Sequence, residues 1–203
     1  IMTTRIDIVS DVVCPWCVIG YLRLEKAVKE LKTNVEIFWH PFELNSNMPS
    51  GGENLRAHLI RKYGITTEAS VEARTRLLQL GEELGFEFKY SDKTRIFNTL
   101  KIHQLLHFAR KHQKEHILKL LFFKAYFTEL KELDQDEVLV EIGVSVGLAE
   151  DEIRQVLKED LHRDEVKAEI SFYMEQGLRG VPAFIFDQKY LVSGAQDIEM
   201  FKN

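Results

Sequence analysis

From Arg5 to Ser10 the chain is apolar and β-prone, and Val12-Val13 carry the apolar run up to Cys14. This predicts a strand over 5–10. Val18, Ile19, Leu22, Ala27, Val28 and Leu31 then recur at helical spacing, which predicts a helix over 15–32. Val35, Ile37 and Trp39 alternate with Glu36, Phe38 and His40, the period of a strand with two unlike faces, and Pro41 closes it. Strand, helix, strand in this order predicts a parallel pair joined by a right-handed crossover.

The pattern then changes. Asn45 to Asn54, with Pro49, Gly51 and Gly52, reads as a loop. Helical periodicity follows near 53–63, 68–84, 97–110, 114–130, 136–146, 150–158 and 163–176. Asp136 and Glu150-Asp151 stand near helix starts, where negative charge suits the helix dipole, and Gly64, Gly85 and Gly147 stand where helices end. Strand character returns at Ala183–Phe186 and Tyr190–Val192, with Asp187-Gln188-Lys189 as a short hairpin loop between them. Gly194-Ala195-Gln196 opens a last helix that is short for one that covers a sheet. The expected class is α/β: residues 1–44 and 163–203 form one unit, and residues 45–162 are an all-helical insertion in it.

Composition narrows the function classes. The chain has 203 residues, 45% of them hydrophobic and 29% charged, as in a soluble globular protein. A net charge of −5 argues against a nucleic-acid binder, which carries a basic excess. No apolar run approaches the ~20 residues of a membrane span. Thr3-Thr4-Arg5 leads straight into strand-like sequence without a charged-then-apolar leader, so the expected location is cytoplasmic. Two cysteines in the whole chain agree with a reducing compartment.

Those two cysteines carry the chemistry. Chance would place them three apart about once in a hundred chains, yet they form Cys14-Pro15-Trp16-Cys17, directly between a strand and a helix. In that setting Cys14 caps the helix N-terminus, where unpaired N–H groups and the helix dipole favour a thiolate. Cys17 lies one turn further in, more buried, placed to attack a mixed disulfide on Cys14 and release the substrate. Pro15 suits the first helical turn, and Trp16 offers an exposed aromatic surface beside the thiols. A structural disulfide across three residues constrains little of the unfolded chain, and a zinc site needs a second ligand pair, so no metal is expected. A second candidate element is Gly180-Val181-Pro182-Ala183-Phe184, just before the returning strand. A proline there is either an ordinary trans residue at a loop end or a cis residue that exposes the Val181 backbone for pairing with a peptide.

Strand–CPWC–helix–strand, a long helical insertion and a late Gly-Val-Pro-Ala-Phe before a hairpin resemble the DsbA branch of the thioredoxin superfamily. Ser10-Asp11-Val12-Val13, Ile19-Gly20, Phe42-Glu43-Leu44, Asn98-Thr99 near His103, Phe123–Phe127 and Gly194-Ala195-Gln196 are closer still to the cytoplasmic FrnE-type members, over essentially the whole chain. The short C-terminal segment departs from the family pattern. The resemblance implies a thioredoxin-like fold with a helical insertion and dithiol–disulfide exchange through Cys14 and Cys17. It also implies a cis Pro182 facing Cys14, with the Val181 backbone positioning substrate, and gives Asn98 a substrate contact beside its plainer role as a helix cap. No metal or organic cofactor is implied; glutathione or a protein thiol is the redox partner.

Other polar residues invite plainer readings. His103/His107 and His112/His116 are i,i+4 pairs, but on one helix the two pairs fall on nearly opposite faces, so surface or cap histidines are expected. His40 reads as a satisfied core histidine and Asp11 as a loop hydrogen-bonding group. The charged stretches Arg56–Lys62 and Arg110–Lys114 read as solvated helix surface. Expected partners are thiol or disulfide proteins or glutathione, with no nucleic acid and no membrane, and the apolar insertion offers a homodimer surface. Two rival functions remain: a glutathione-dependent transferase or isomerase of the kappa and hydroxychromene-carboxylate isomerase type, and a redox-sensing protein-binding adaptor.

Overall fold

The computed structural model describes residues 3–203, so the first two residues of the expected N-terminal unit lie outside the described residues. Strand β1 (Thr3–Ser10) leads through a turn into helix α1 (Pro15–Leu31), which returns to strand β2 (Asn34–Pro41). β1 pairs parallel to β2, as the crossover predicts, and antiparallel to β5 (Ala183–Phe186), which turns back into β6 (Tyr190–Ser193). The sheet order β2-β1-β5-β6 makes β1 central. Asp187 and Gln188 take positive φ in the β5–β6 turn, at 52° and 59°.

Alternation along β1 assigns its two faces. Ile6 and Ile8 join Val18, Ile19 and Leu24 of α1 in the main core. Val9 points the other way and packs with Phe42, Tyr173, Leu178 and Ala183. Tyr173 belongs to α8 (Arg163–Glu175), which packs on β2, and the short helix α9 (Ile198–Lys202) lies along α1.

Between β2 and α8 run α2 (Leu55–Tyr63), α3 (Thr67–Leu84), α4 (Leu100–Arg110), α5 (Glu115–Phe127), α6 (Asp136–Ser145) and α7 (Glu150–Glu159). This segment is not purely helical. Glu53-Asn54 (β3) pair antiparallel with Arg95-Ile96 (β4), so the first helix starts at Leu55, two residues later than periodicity indicates. The cause is local: the Asn54 side chain accepts from Ala57 N at 3.0 Å and holds residue 54 extended as a cap. Thr66 caps α3 in the same way through Ala69 N. The insertion and the sheet share one continuous core, in which Phe122, Phe123 and Phe127 of α5 join Ile8, Leu24 and Trp39. Among the described residues no helix is long and apolar enough to cross a membrane.

Candidate active site

Cys14 is the N-cap of α1, with extended backbone (φ −93°, ψ 110°) and Pro15 at the first helical position. Its own N–H donates to Asp11 O at 3.1 Å, closing the turn after β1, and Cys17 N–H donates to Cys14 O at 3.1 Å. Both sulfurs are free thiols. Cys14 keeps 4% of its surface exposed and Cys17 none, so an incoming group reaches the first sulfur only. Burial pushes the Cys17 thiol well above its ordinary pKa, and the hydrogen bond and charge of Cys14 push it the same way. Cys17 is thereby held protonated while Cys14 faces the opening.

The second segment arrives from β5. The Val181–Pro182 peptide bond is cis. Cys14 Sγ donates to Val181 O at 3.8 Å, so this backbone lies directly against the first sulfur. Gly194 N–H donates to Pro182 O at 2.8 Å and secures the segment from behind. Gly20 of α1 permits this approach: a Cβ there meets the Phe184 ring and Pro182 Cγ at 3.1 Å each and the Ala195 backbone at 3.3 Å.

Cys14 opens onto a cleft of about 370 Å³. Val13, Pro15, Trp16 and Val181 line it on the sheet side, and Leu55, Leu59, Tyr63 and Leu77 on the α2–α3 side. Trp16 is 38% exposed at its rim. Asn98 does not line this cleft. Its Nδ2 donates to Met48 O and its Oδ1 accepts from Leu100 N–H, both at 3.0 Å, so its side chain holds the start of α4.

Beneath the thiols the polar residues differ from expectation. His103 is fully buried, not a surface or cap residue: its Nε2 lies 3.1 Å from Asp11 Oδ1 and 3.0 Å from Phe42 O. Asp11 makes the loop bond foreseen for it, accepting from Leu44 N–H at 3.0 Å. Burial works to raise its pKa, but the hydrogen bond and charge of His103 outweigh this and hold the carboxyl below its ordinary value. His116 is also drawn inward: Trp39 Nε1 donates to its Nδ1 at 2.9 Å. His112 remains exposed as expected. Among the described residues no three His, Cys, Asp or Glu side chains converge as a metal site does.

Two further features escape the sequence reading. Lys119 of α5 is only 1% exposed, with Nζ 5.3 Å from the ring centres of both Trp39 and Phe123. Burial lowers its pKa, and the charges of Cys17 and Asp11 work against that. The signal was present: Glu115, Leu118, Lys119, Phe122, Phe123 and Tyr126 follow helical spacing, which puts Lys119 on the buried stripe. The second is a clamp between sheet and insertion. His40 bridges Asp7 Oδ1 (2.6 Å) and Glu169 Oε2 (3.0 Å), and Arg110 donates to both oxygens of Glu169 at 3.2 and 3.1 Å and to Trp39 O at 2.8 Å. His40 is thus satisfied, as anticipated, though by two carboxylates.

Known proteins share this architecture. A probable DsbA oxidoreductase from Streptomyces coelicolor is 31% identical and superposes with a TM-score of 0.92, covering 98% of this chain and 87% of that one. The uncharacterized protein YwbO of Bacillus subtilis (strain 168) is 26% identical over 202 residues, 99% of this chain and 95% of its own. The cytosolic disulfide reductase DsbM from Pseudomonas aeruginosa, solved with GSH, shares the fold at a TM-score of 0.66 and 16% identity, covering 98% and 95% of the two chains. The DSBA-like thioredoxin domain model matches residues 5–203, and the chain belongs to that family.

Proposed function

We propose that this protein is a thiol–disulfide oxidoreductase of the FrnE-like branch, working through Cys14-Pro15-Trp16-Cys17 on protein or small-molecule thiols. The observation that carries this reading is the unequal burial of the two sulfurs. Cys14 meets the cleft at a helix N-terminus, and Cys17 is sealed behind it.

Cys14 as thiolate attacks a substrate disulfide, the substrate S–S bond breaks, and one substrate thiolate leaves. Cys17 then loses its proton to a departing thiolate, attacks Cys14 Sγ and expels the second thiol. The dithiol gives up two electrons and becomes the Cys14–Cys17 disulfide; the reverse sequence oxidises a substrate dithiol. The Val181 backbone, whose carbonyl lies beside Cys14 Sγ, supports a role for this segment in pairing with a substrate backbone during attack. No metal or organic cofactor enters, and glutathione or a protein dithiol resets the pair. The proposed setting is the cytoplasm, supported by the low cysteine usage.

A glutathione-dependent transferase or isomerase has no use for a sealed second thiol, which favours the dithiol reading over that rival. The test is equilibration with glutathione redox buffers, read by tryptophan fluorescence. A two-electron transition near −120 mV marks an oxidant or isomerase, and one near −270 mV a reductase. No transition between wild type and Cys17→Ser under any poise overturns the reading.

A further inference from the structure

The charged side chains on the largely apolar lining of the Cys14 cleft are of one sign. Lys62 and Arg74 line it, and no aspartate or glutamate does, although the whole chain carries −5. Neither cation is neutralised. Lys62 Nζ donates to two neutral acceptors, Leu44 O at 2.9 Å and Asn45 Oδ1 at 2.8 Å. Arg74 Nη1 donates to Ser91 O at 3.2 Å, while its Nε and Nη2 are covered and lack any acceptor. The Tyr90 ring centre lies 5.3 Å from the Arg74 guanidinium. His58, the remaining basic group on the lining, differs: its Nδ1 is 3.1 Å from Glu53 and its Nε2 3.0 Å from Asn45. Arg56, next to Arg74, is likewise paired, with Asp92. Lys62 and Arg74 are therefore the charges left for a ligand.

The size and lining point to the rest of that ligand. A cleft of about 370 Å³ stands at the lower end of the range for small-molecule sites. Leu55, Leu59 and Leu77 favour an aliphatic or aromatic body, which a strongly polar tripeptide lacks.

We propose that the cleft selects a small disulfide with an apolar body and a carboxylate, the sulfur meeting Cys14 and the carboxylate facing Lys62, with Arg74 deeper in the same wall. This rests on the dithiol reading above and names its substrate class. The covalent step is the one already written: Cys14 forms a mixed disulfide with one half, the other half leaves as thiolate, and Cys17 releases the bound half as a thiol.

Three probes test it on the reduced protein by stopped flow: 5,5′-dithiobis(2-nitrobenzoate), aromatic and anionic; 4,4′-dithiodipyridine, aromatic and neutral; and oxidised glutathione, anionic and polar. Each rate is divided by that of 2-mercaptoethanol with the same probe, which removes the probe's own reactivity. The expected order places the anionic aromatic disulfide first. Lys62→Gln lowers the anionic-to-neutral aromatic ratio about fivefold, the size of one lost charge contact, and Lys62→Arg restores it. The ratio also removes any change in Cys14 reactivity, since both aromatic probes report it equally. An unchanged ratio in Lys62→Gln overturns the carboxylate contact, and a higher normalised rate for oxidised glutathione overturns the apolar body. Failure of the dithiol reading looks different: wild type then forms no Cys14–Cys17 disulfide with any probe.

Discussion

Replacing His40 with glutamine removes the one cation that, among the described residues, touches both Asp7 and Glu169. Burial alone raises the pKa of both carboxyls, yet both are held down at about 2, Asp7 by His40 and Arg5 and Glu169 by His40 and Arg110. From ordinary values of 3.8 and 4.5 these depressions correspond to about 2 kcal/mol for Asp7 and about 3 kcal/mol for Glu169. The two share His40, so their joint contribution is smaller than the sum. The carboxyl pKa values are depressed, so this stabilisation is present above pH ~4.5 and lost as pH falls toward 2. The His40 pKa is raised above 6.5, since its two carboxylates outweigh burial. Its contribution is therefore complete below 6.5 and lost as pH rises through the folded value. Wild-type stability then has a plateau near pH 5–6. His40→Gln keeps at most one of the two bonds and leaves a buried carboxylate short of its partner, at a cost of about 3 kcal/mol on that plateau. The difference shrinks at pH 3, where the carboxylates begin to protonate in the unfolded chain, and again as pH rises through the raised His40 value, where the wild type loses that charge. Urea unfolding at pH 3, 5.5 and 8.5, followed by tryptophan fluorescence, measures it. A constant offset across the three conditions refutes the electrostatic account and leaves only lost packing.

Gly20→Ala drives a methyl group into Phe184 and Pro182, so a loss of about 1–3 kcal/mol is expected, with a slower reaction of Cys14 because the Val181 backbone shifts; denaturation and alkylation rates measured together check both. Lys119→Met fills the same space without a buried ammonium and should raise stability at pH 7 by about 1 kcal/mol or more. The lowered Lys119 pKa means that the unfolded chain binds more protons, so the wild type gains stability as pH rises toward 10 and the variant lacks this slope; equal slopes refute the assignment. Cys17→Ser should accumulate a mixed disulfide on Cys14 that wild type resolves, visible as added mass in a non-reducing digest, whereas Cys14→Ser should form none.

What was legible in the sequence is what neighbouring residues determine together. The apolar run of β1, the alternation along β2, the period of α1 and the capping position of Cys14 follow from neighbouring residues alone, and the structure keeps them within a residue or two. The β3–β4 ribbon was not legible, since two-residue strands have no period and Glu53-Asn54 acquire theirs from Arg95-Ile96 across the chain. The same holds for His103, whose acceptors Asp11 and Phe42 lie far away in sequence, and for the Arg110–Glu169 contact. Periodicity tells which face of a helix is apolar, not which distant carboxylate an inward polar residue will find. The Cys14 cleft is non-local too, because Lys62 and Arg74 join Cys14 on one lining only after α3 packs against α1 and α2 against α3.

The two walls of that cleft stand on foundations of unequal strength. Cys14 hangs from the end of β1, the central strand, buried from Ile6 to Ser10 and hydrogen-bonded on both edges. The facing wall is α2 and α3, where burial is confined to His58 in one helix and to Ser70, Leu77 and Gly81 in the other. Amide exchange should therefore be slowest in β1 and fast in α2 and α3, by openings that leave the main core intact. On that footing the cleft should open from the α2–α3 side alone, with Cys14 Sγ kept in place against the Val181 carbonyl.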